Sequence, residues 1–374
     1  VYKILEEKDE SLLSKYSNIA KDLEIMKELA LILREKRLER GALDFDLGEA
    51  KIVVDSNCRV IDIVKFKPTI AEKIIEEFMI VCNETVAENF FWLDSPFIYR
   101  VHEDPDKEKL MNFSKFVRLF GYRIKGNNII HPGALQKLLE DVKGKKEERL
   151  INTMLLRSLK KAKYSEKNLG HFGLASKYYC HFTAPIRRYP DLMIHRIMKE
   201  VICGKMTGSK KNKYYQILPD LANHCSEREV VADDSERAVE DLKKIEYISN
   251  YIGEVFDGII TGIAKYGMFV EMENTVEGFV RLSSIEDDFY ILDDMGYFLV
   301  GERTGKQYRI GDSVRVRVVR ADKTAREIDL ILETKSVRKK KGKKVKSNAV
   351  KKHKKQNPYD FSTNNNKNNQ STQK

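Results

Sequence analysis

The chain has 374 residues, of which 42% are hydrophobic and 33% are charged. This length and apolar content suffice for roughly two or three domains with their own cores, and they exclude a fully disordered chain. No apolar run reaches the roughly 18 residues that cross a bilayer, and the first residues lack the pattern of a secretory signal. The five cysteines form no C-x-x-C pair. We therefore expect a cytoplasmic protein with reduced cysteines, no disulfide framework and no membrane segment.

The net charge of +11 is concentrated at the C-terminus. Residues 335–374 contain 14 Lys and Arg and one acid, Asp360, so the rest of the chain is nearly neutral. Lysine blocks followed by an Asn-, Gln- and Ser-rich tract predict a disordered arm that binds polyanions through counterion release. A solubility tail or a nuclear-localisation-like run is the alternative.

The first 68 residues change from helical to alternating character. Apolar residues recur at helical spacing over residues 12–40, which predicts a long amphipathic helix. The alternation after this helix predicts two strands joined by a turn at residues 55–57. Asp44, Asp46 and Glu49 lie among alternating apolar residues. This pattern favours a solvated strand face over a metal site.

Helical spacing returns at Thr69 and dominates the next part of the chain. A helix from Thr69 to about residue 93 is followed by a short strand and a turn, and then by further helices. The later helical patterns lie near residues 113–124, 131–144, 149–165 and 220–252. We therefore expect residues 1–252 to form a helix-rich α+β domain.

From Gly253 onward the sequence changes to short alternating strands with glycine turns. Residues 253–334 have the size of a five-stranded OB barrel. Stacking surfaces beside cations, as in barrels that hold single-stranded nucleic acid, are predicted at Lys265, Tyr266, Phe269, Phe279 and Arg281. The alternation alone also leaves Phe269 and Phe279 open to a core position.

The stretch HFTAPIRRYPDLMIHR, residues 181–196, places two arginines directly before a predicted helix. Pro190 suits a first helical position and Asp191 complements the positive end of the helix, so the helix should begin near Pro190. Arg187 and Arg188 then lie where free backbone N–H groups and guanidinium forks together can hold phosphate. A surface arginine pair that bridges to a carboxylate is the alternative.

Several blocks of the chain resemble the ribonuclease II and ribonuclease R exoribonuclease family, closest to its bacterial ribonuclease R members. The blocks are LLRSLKKAKYSEKNLGHFGLASKYYCHFTAPIRRYPDLMIHR, GALDFDLGEAKIV, IIEEFMIVCNETVAENF and PFIYRVHEDPDKEKL. Residues 253–334 similarly resemble the S1 RNA-binding module that follows the RNB catalytic domain in this family. The resemblance implies processive, Mg²⁺-dependent hydrolysis of RNA from its 3′ end to nucleoside 5′-monophosphates. It also implies a monomer that acts on single-stranded RNA, including structured RNA with a 3′ overhang.

The same resemblance assigns roles to individual residues. Arg187 would stabilise charge on the scissile phosphate, and Glu236, in the context DDSERAV, would orient Arg187 or gate the 3′ end. The further RNA-binding positions that it implies are Arg188, Tyr189, His181 and Thr183. For His195 we expect a structural role through a pair with Asp191 one helical turn away.

One family feature is missing from the 374 residues. Family members bind Mg²⁺ through an aspartate cluster of the type D-L-D-D-A, and no D-x-D-D run occurs here. Asp233 and Asp234 lie in a helical pattern without that context. The sequence therefore predicts the C-terminal part of an exoribonuclease, without its metal ligands and inactive alone. A non-catalytic RNA-binding module is the alternative.

Overall fold

The structure, a computed structural model, describes residues 1–45, 49–124, 130–145, 147–293 and 298–333. The basic arm, Asp46 and the side chain of Glu49 lie outside the described residues. The helices are α1 (Tyr2–Leu5), α2 (Glu10–Lys15), α3 (Ser17–Glu39), α4 (Ile70–Trp92), α5 (Lys107–Arg118), α6 (Pro132–Val142), α7 (Glu148–Ser158), α8 (Tyr189–Ile202) and α9 (Gly208–Ile248).

The strands form three small sheets and one closed barrel in the described part of the chain. They are β1 (Glu49–Val54), β2 (Val60–Phe66), β3 (Tyr99–Val101), β4 (Lys163–Ser165), β5 (Val255–Ala264), β6 (Gly267–Met272), β7 (Glu277–Arg281), β8 (Tyr290–Leu292), β9 (Phe298–Gly301), β10 (Gln307–Arg309), β11 (Ser313–Asp322) and β12 (Glu327–Leu332). β1 pairs antiparallel with β2 across the predicted turn. Asp44 precedes this hairpin, and its carboxylate pairs with Arg34 rather than lying on a strand face.

The long predicted helices differ from the observed ones at their ends. The helix predicted over residues 12–40 is interrupted at Tyr16 and continues as α3. α9 begins at Gly208 instead of near residue 220 and runs through Pro219. Residues 208–219 begin with the polar run GSKKNK and end in a proline, so their local pattern does not indicate a helix. Burial of Leu218 and Ala222 against α4 and α8 holds them in helical form.

The helix α4 is the central support of the helical region. It begins with a capping box. The Thr69 side chain accepts a hydrogen bond from a backbone N–H of the first turn, and the Glu72 carboxylate accepts one from the Thr69 backbone N–H. Near its first turns a buried ion pair joins it to α3, because Arg37 Nη2 and Nε lie 2.5 Å and 3.2 Å from the two Glu77 carboxylate oxygens. Burial makes this pair more sensitive to loss of one partner than a surface pair would be.

The barrel closes in the order β11–β12–β7–β6–β5, which confirms the predicted five-stranded fold. A separate three-stranded antiparallel sheet, β8–β9–β10, is inserted between β7 and β11 and was not predicted. One apolar cluster extends from the helices α5–α7 into the barrel interior, with Phe116, Leu155, Ile248, Val270 and Val318 among its buried members. No helix in the described part of the chain is long and apolar enough to cross a membrane.

Candidate functional site

The arginine-bearing loop ends at α8, whose first turn contains Pro190 as predicted. Asp191, in the same turn, is completely buried. Its Oδ2 accepts hydrogen bonds from Arg188 Nε at 3.0 Å and Nη2 at 2.7 Å, and from the Ala184 backbone N–H at 2.8 Å. A buried carboxylate thus fixes the Arg188 guanidinium and the loop before the helix.

Arg187 differs from Arg188 in its surroundings. Its side chain is exposed, and among the described residues its guanidinium makes no hydrogen bond or ion pair. The alternative of a carboxylate-bridging surface pair therefore describes Arg188 only. Arg187 keeps its donors available for a phosphate, next to the N-terminus of α8.

Asn83 on α4 positions the segment that leads into this loop. Its buried side chain donates from Nδ2 to the Tyr179 hydroxyl at 3.2 Å and accepts at Oδ1 from the Phe182 N–H at 2.9 Å. Its backbone carbonyl also accepts from the Cys180 thiol at 3.3 Å. One asparagine thereby links α4 to three residues of the segment that carries His181.

His195 has the expected structural role but a different partner. Its Nε2 lies 2.9 Å from the Phe182 carbonyl oxygen, and its ring stacks on Phe182 with centroids 4.0 Å apart. The predicted pair with Asp191 is wrong, because the Asp191 carboxylate is turned toward Arg188 and Ala184.

His181 is largely buried between aromatic rings. Its Nδ1 lies 2.9 Å from the Tyr164 hydroxyl. Burial, and secondarily the positive charges of Arg188 and Arg100, lowers the pKa of His181 to about 2. The neutral ring shapes the site and adds no positive charge to it. Thr183 Oγ1 is also buried and has no hydrogen-bond partner among the described residues.

Sequence reasoning missed the Arg100–Glu229 ion pair, which lies near the segment that carries His181. Arg100 Nη1 lies 2.5 Å from Glu229 Oε2, and the guanidinium lies 4.7 Å from the centre of the Tyr164 ring. These residues come from β3, α9 and β4, which are distant in sequence. The one local signal is a charged residue inside the apolar run PFIYRV.

Glu236 lies on α9, exposed to solvent. No hydrogen bond or ion pair connects it to Arg187 in the described part of the chain. Glu229, which pairs with Arg100, lies two helical turns earlier, about 10 Å along the axis on nearly the same side of α9. The role of Glu236 near Arg187 thus stays a prediction.

The predicted aromatic face of the barrel is on its outside. Phe269 and Phe279 are directly opposite each other on β6 and β7, with ring centroids 4.9 Å apart, and Phe269 is 39% exposed. Tyr266 is 74% exposed, and Lys265 is also exposed. Arg281 Nη2 pairs with Asp329 Oδ1 at 3.1 Å. The face therefore offers the rings of Tyr266 and Phe269 beside Lys265, while the Arg281 charge is paired with a carboxylate.

Glycine makes room for this aromatic pair. A Cβ on Gly267 would lie 2.2 Å from the Val280 carbonyl oxygen and 2.5 Å from the Phe279 ring. A Cβ on Gly262 would lie 3.2 Å from the Phe269 ring. The glycines in GIITGIAKYGMF are the sequence signal for rings that approach the strand backbone closely.

A cavity of about 570 Å³ lies between this face and the end of α9. Its lining includes Phe269, Phe279 and Arg281 from the barrel, and Asp241, Lys244 and Ile245 from α9. The barrel face thus continues into a groove bounded by the helical region.

The described residues contain no group of three or more His, Cys, Asp or Glu side chains that could hold a metal ion. The divalent metal implied by the family resemblance therefore does not fit this set of residues. All five cysteines are free, and Cys58 and Cys203 are exposed.

Comparison with known proteins gives the family. The RNB domain family model matches residues 1–204. The chain belongs to the RNB domain family. An S1 RNA binding domain model matches residues 251–333. The chain is 49% identical over 309 residues to Ribonuclease R of Thermotoga maritima, covering 82% of this chain and 43% of that protein.

Two solved structures of an RNB-family protein are also similar. Mycoplasma genitalium RNase R in complex with ribose methylated single-stranded RNA superposes with a TM-score of 0.81 at 30% identity, over 89% of this chain and 52% of that one. Its complex with double-stranded RNA gives 0.71 at 28% identity, over 83% and 50%. The chain thus spans about half or less of the relatives that it matches.

Proposed function

We propose that the chain is the C-terminal portion of a processive 3′ to 5′ exoribonuclease that hydrolyses RNA to nucleoside 5′-monophosphates. Residues 1–252 would form one wall of the catalytic domain, residues 253–334 the S1 RNA-binding domain and residues 335–374 a basic arm. The relatives named ribonuclease R and the RNA complexes of the M. genitalium protein support this assignment. A cytoplasmic monomer acting on single-stranded RNA, or on structured RNA with a 3′ overhang, completes the proposal.

The observation that carries the proposal is the contrast between the two arginines. Arg188 is bound to buried Asp191, and Arg187 presents its guanidinium to solvent beside a helix N-terminus. Hydrolysis of a phosphodiester builds negative charge on the phosphate oxygens, and a preorganised planar donor stabilises that charge. Arg187 would do so, while Arg188 and Tyr189 position the strand.

The proposed metal is Mg²⁺, which would activate water for attack on the phosphate. Its carboxylate ligands would lie outside the described residues of this chain, since these hold no suitable cluster. We accordingly expect no shortening of labelled poly(A) by the 374-residue chain with Mg²⁺. Progressive 3′ shortening that EDTA abolishes would contradict this expectation.

Arg187 is tested by substitution in an enzyme form that includes the metal ligands. Arg187→Lys keeps the charge and loses the two-donor fork, so single-turnover cleavage of a 3′ single-stranded RNA should slow about 10² to 10³-fold. The dissociation constant should change little, because many contacts share the phosphate backbone. Arg118→Lys, at an exposed arginine at the end of α5, is the matched control. Equal small effects at both positions, or a loss confined to affinity, would reject the proposed role.

The second candidate function is a non-catalytic RNA-binding module. The outward Phe269–Phe279 pair favours it, because stacking and basic residues suffice for binding without hydrolysis. The two functions separate in one assay. A non-catalytic module would bind RNA but cleave none in the single-turnover assay. Arg187→Lys would then change no cleavage rate.

A further inference from the structure

The C-terminal end of α4 carries a cluster of exposed aromatic side chains outside the site described above. Trp92 is 71% exposed, and Phe91 is also exposed. Their rings lie 5.3 Å apart and nearly perpendicular. Tyr178 joins them, with its ring centroid 4.7 Å from Phe91 and 6.3 Å from Trp92.

A fourth ring reaches the same surface from α9. The Tyr215 hydroxyl donates to the Asp94 carbonyl at 3.3 Å, and the neighbouring Lys211 Nζ lies 3.0 Å from the Asp94 carboxylate. Asp94 follows Trp92 by two residues, so α9 and the end of α4 share this surface. We call Phe91, Trp92, Tyr178 and Tyr215 the Trp92 platform.

Exposed lysines lie near the platform, together with the exposed Glu88, one helical turn before Trp92. Lys177, which precedes Tyr178, is exposed, and Lys211 lies 5.8 Å from the centre of the Tyr215 ring. The connection from Gly204 into the first turns of α9, GKMTGSKKNK, contains four lysines and no acid. In this segment Lys210 pairs with Glu200 and Lys211 pairs with Asp94. The exposed Lys205 and Lys213 have no ion pair among the described residues.

Aromatic rings beside lysines fit a nucleic-acid strand better than a protein surface. Bases of any sequence can stack on exposed rings, and lysines neutralise the adjacent phosphates. Aromatic residues are enriched at protein interfaces, but lysine is depleted there, so the lysines are what favours RNA over a protein partner. We propose that the Trp92 platform is a second binding surface for single-stranded RNA, in addition to the aromatic face of the barrel.

The platform also has a direct connection to the arginine-bearing loop. Tyr178 contributes its ring to the platform, and the next residue, Tyr179, turns inward to Asn83. His181 follows two residues later, so the platform lies within about 10 Å of it along the chain. A strand held on the platform would therefore run close to the segment that leads to Arg187. RNA binding at this surface requires no hydrolysis.

Trp92 is the single tryptophan of the 374 residues, so its emission reports on this surface alone. The test titrates the full chain, in EDTA, with an oligoadenylate of about 12 nucleotides, a length that one such site covers. Tryptophan emission and the anisotropy of the labelled RNA are followed together. We expect saturable quenching, which persists when Phe269→Ala and Phe279→Ala remove the barrel rings.

Substitutions next to the tryptophan provide the second measurement. Tyr178→Ala should raise the RNA concentration for half-maximal quenching about 5- to 100-fold, as expected for loss of one stacking ring. Phe289→Ala, which removes an exposed ring on the barrel insertion, is the matched control and should leave it unchanged. Unchanged Trp92 emission at RNA concentrations that saturate the anisotropy would overturn the proposal. Emission that changes with protein concentration and not with RNA would also overturn it, and would assign the surface to a second copy of the chain.

Discussion

Acidification should destabilise the region around the arginine-bearing loop through two largely buried histidines. Burial lowers the pKa of His171 to about 3 and that of His181 to about 2. Both histidine rings contact Tyr179. The Tyr179 ring centroid lies 5.1 Å from that of His171 and 5.9 Å from that of His181. Both rings stay neutral in the folded protein near pH 5, whereas an unfolded histidine with a pKa of about 6.5 becomes protonated.

The direction and size of the effect follow from proton linkage. Below pH 6.5 and above the folded pKa, the unfolded state binds more protons, so the free energy of unfolding falls as the pH falls. Between pH 8 and pH 5 each histidine should contribute a loss of about 2 kcal/mol. For His171 and His181 together the loss is about 4 kcal/mol, a large share of the stability of an ordinary domain.

Urea unfolding at pH 8 and pH 5 measures this loss, with the slope against urea checked for constancy. His181→Gln removes the titrating group, so the difference between the two pH values should shrink by about 2 kcal/mol, whatever the variant's stability at pH 8. His224→Gln, at an exposed histidine of α9, should leave that difference unchanged. An equal pH dependence in wild type and His181→Gln would refute the reasoning, because it would mean that the ring becomes protonated without unfolding.

Three further predictions concern the packing of the fold and the basic arm. Glu77→Gln should lower the free energy of unfolding in urea by about 3 kcal/mol, since it removes the buried carboxylate 2.5 Å from Arg37 and leaves this charge only the half-exposed Glu76 carboxylate at 3.9 Å. Glu76→Gln, which keeps the buried pair, should change the free energy of unfolding little. Gly267→Ala should destabilise the barrel by about 1 to 3 kcal/mol and weaken oligonucleotide binding, because its Cβ would displace the aromatic pair. Normal stability together with normal binding would contradict this prediction, because it would mean that β6 shifts to accommodate the added Cβ without a free-energy cost. Deletion of residues 335–374 should flatten the salt dependence of RNA affinity, and an unchanged slope would place the phosphate contacts in the body of the protein.

The sequence by itself determined the elements whose cause is local. Thr69 and Glu72 cap α4 through their own turn, and Pro190 lies in the first turn of α8, where its ring fits. The alternation and glycine spacing after Gly253 predicted the barrel, since strand period and turn chemistry depend on neighbouring residues. The motifs around Arg187 likewise indicated the family before any contact was known.

The tertiary structure decided which residues those local patterns leave exposed or bound. Arg187 and Arg188 are equivalent in sequence, and only the buried Asp191 carboxylate distinguishes them by taking one guanidinium. Alternation left two faces open to Phe269 and Phe279, whereas in the folded barrel Phe269 is partly exposed and the Phe279 ring lies beside Gly267. Asn83 is a polar residue of α4, yet it is buried, and Tyr179 and Phe182 satisfy its amide. Such outcomes depend on groups brought together from distant parts of the chain, and a buried polar group acquires its role from those partners.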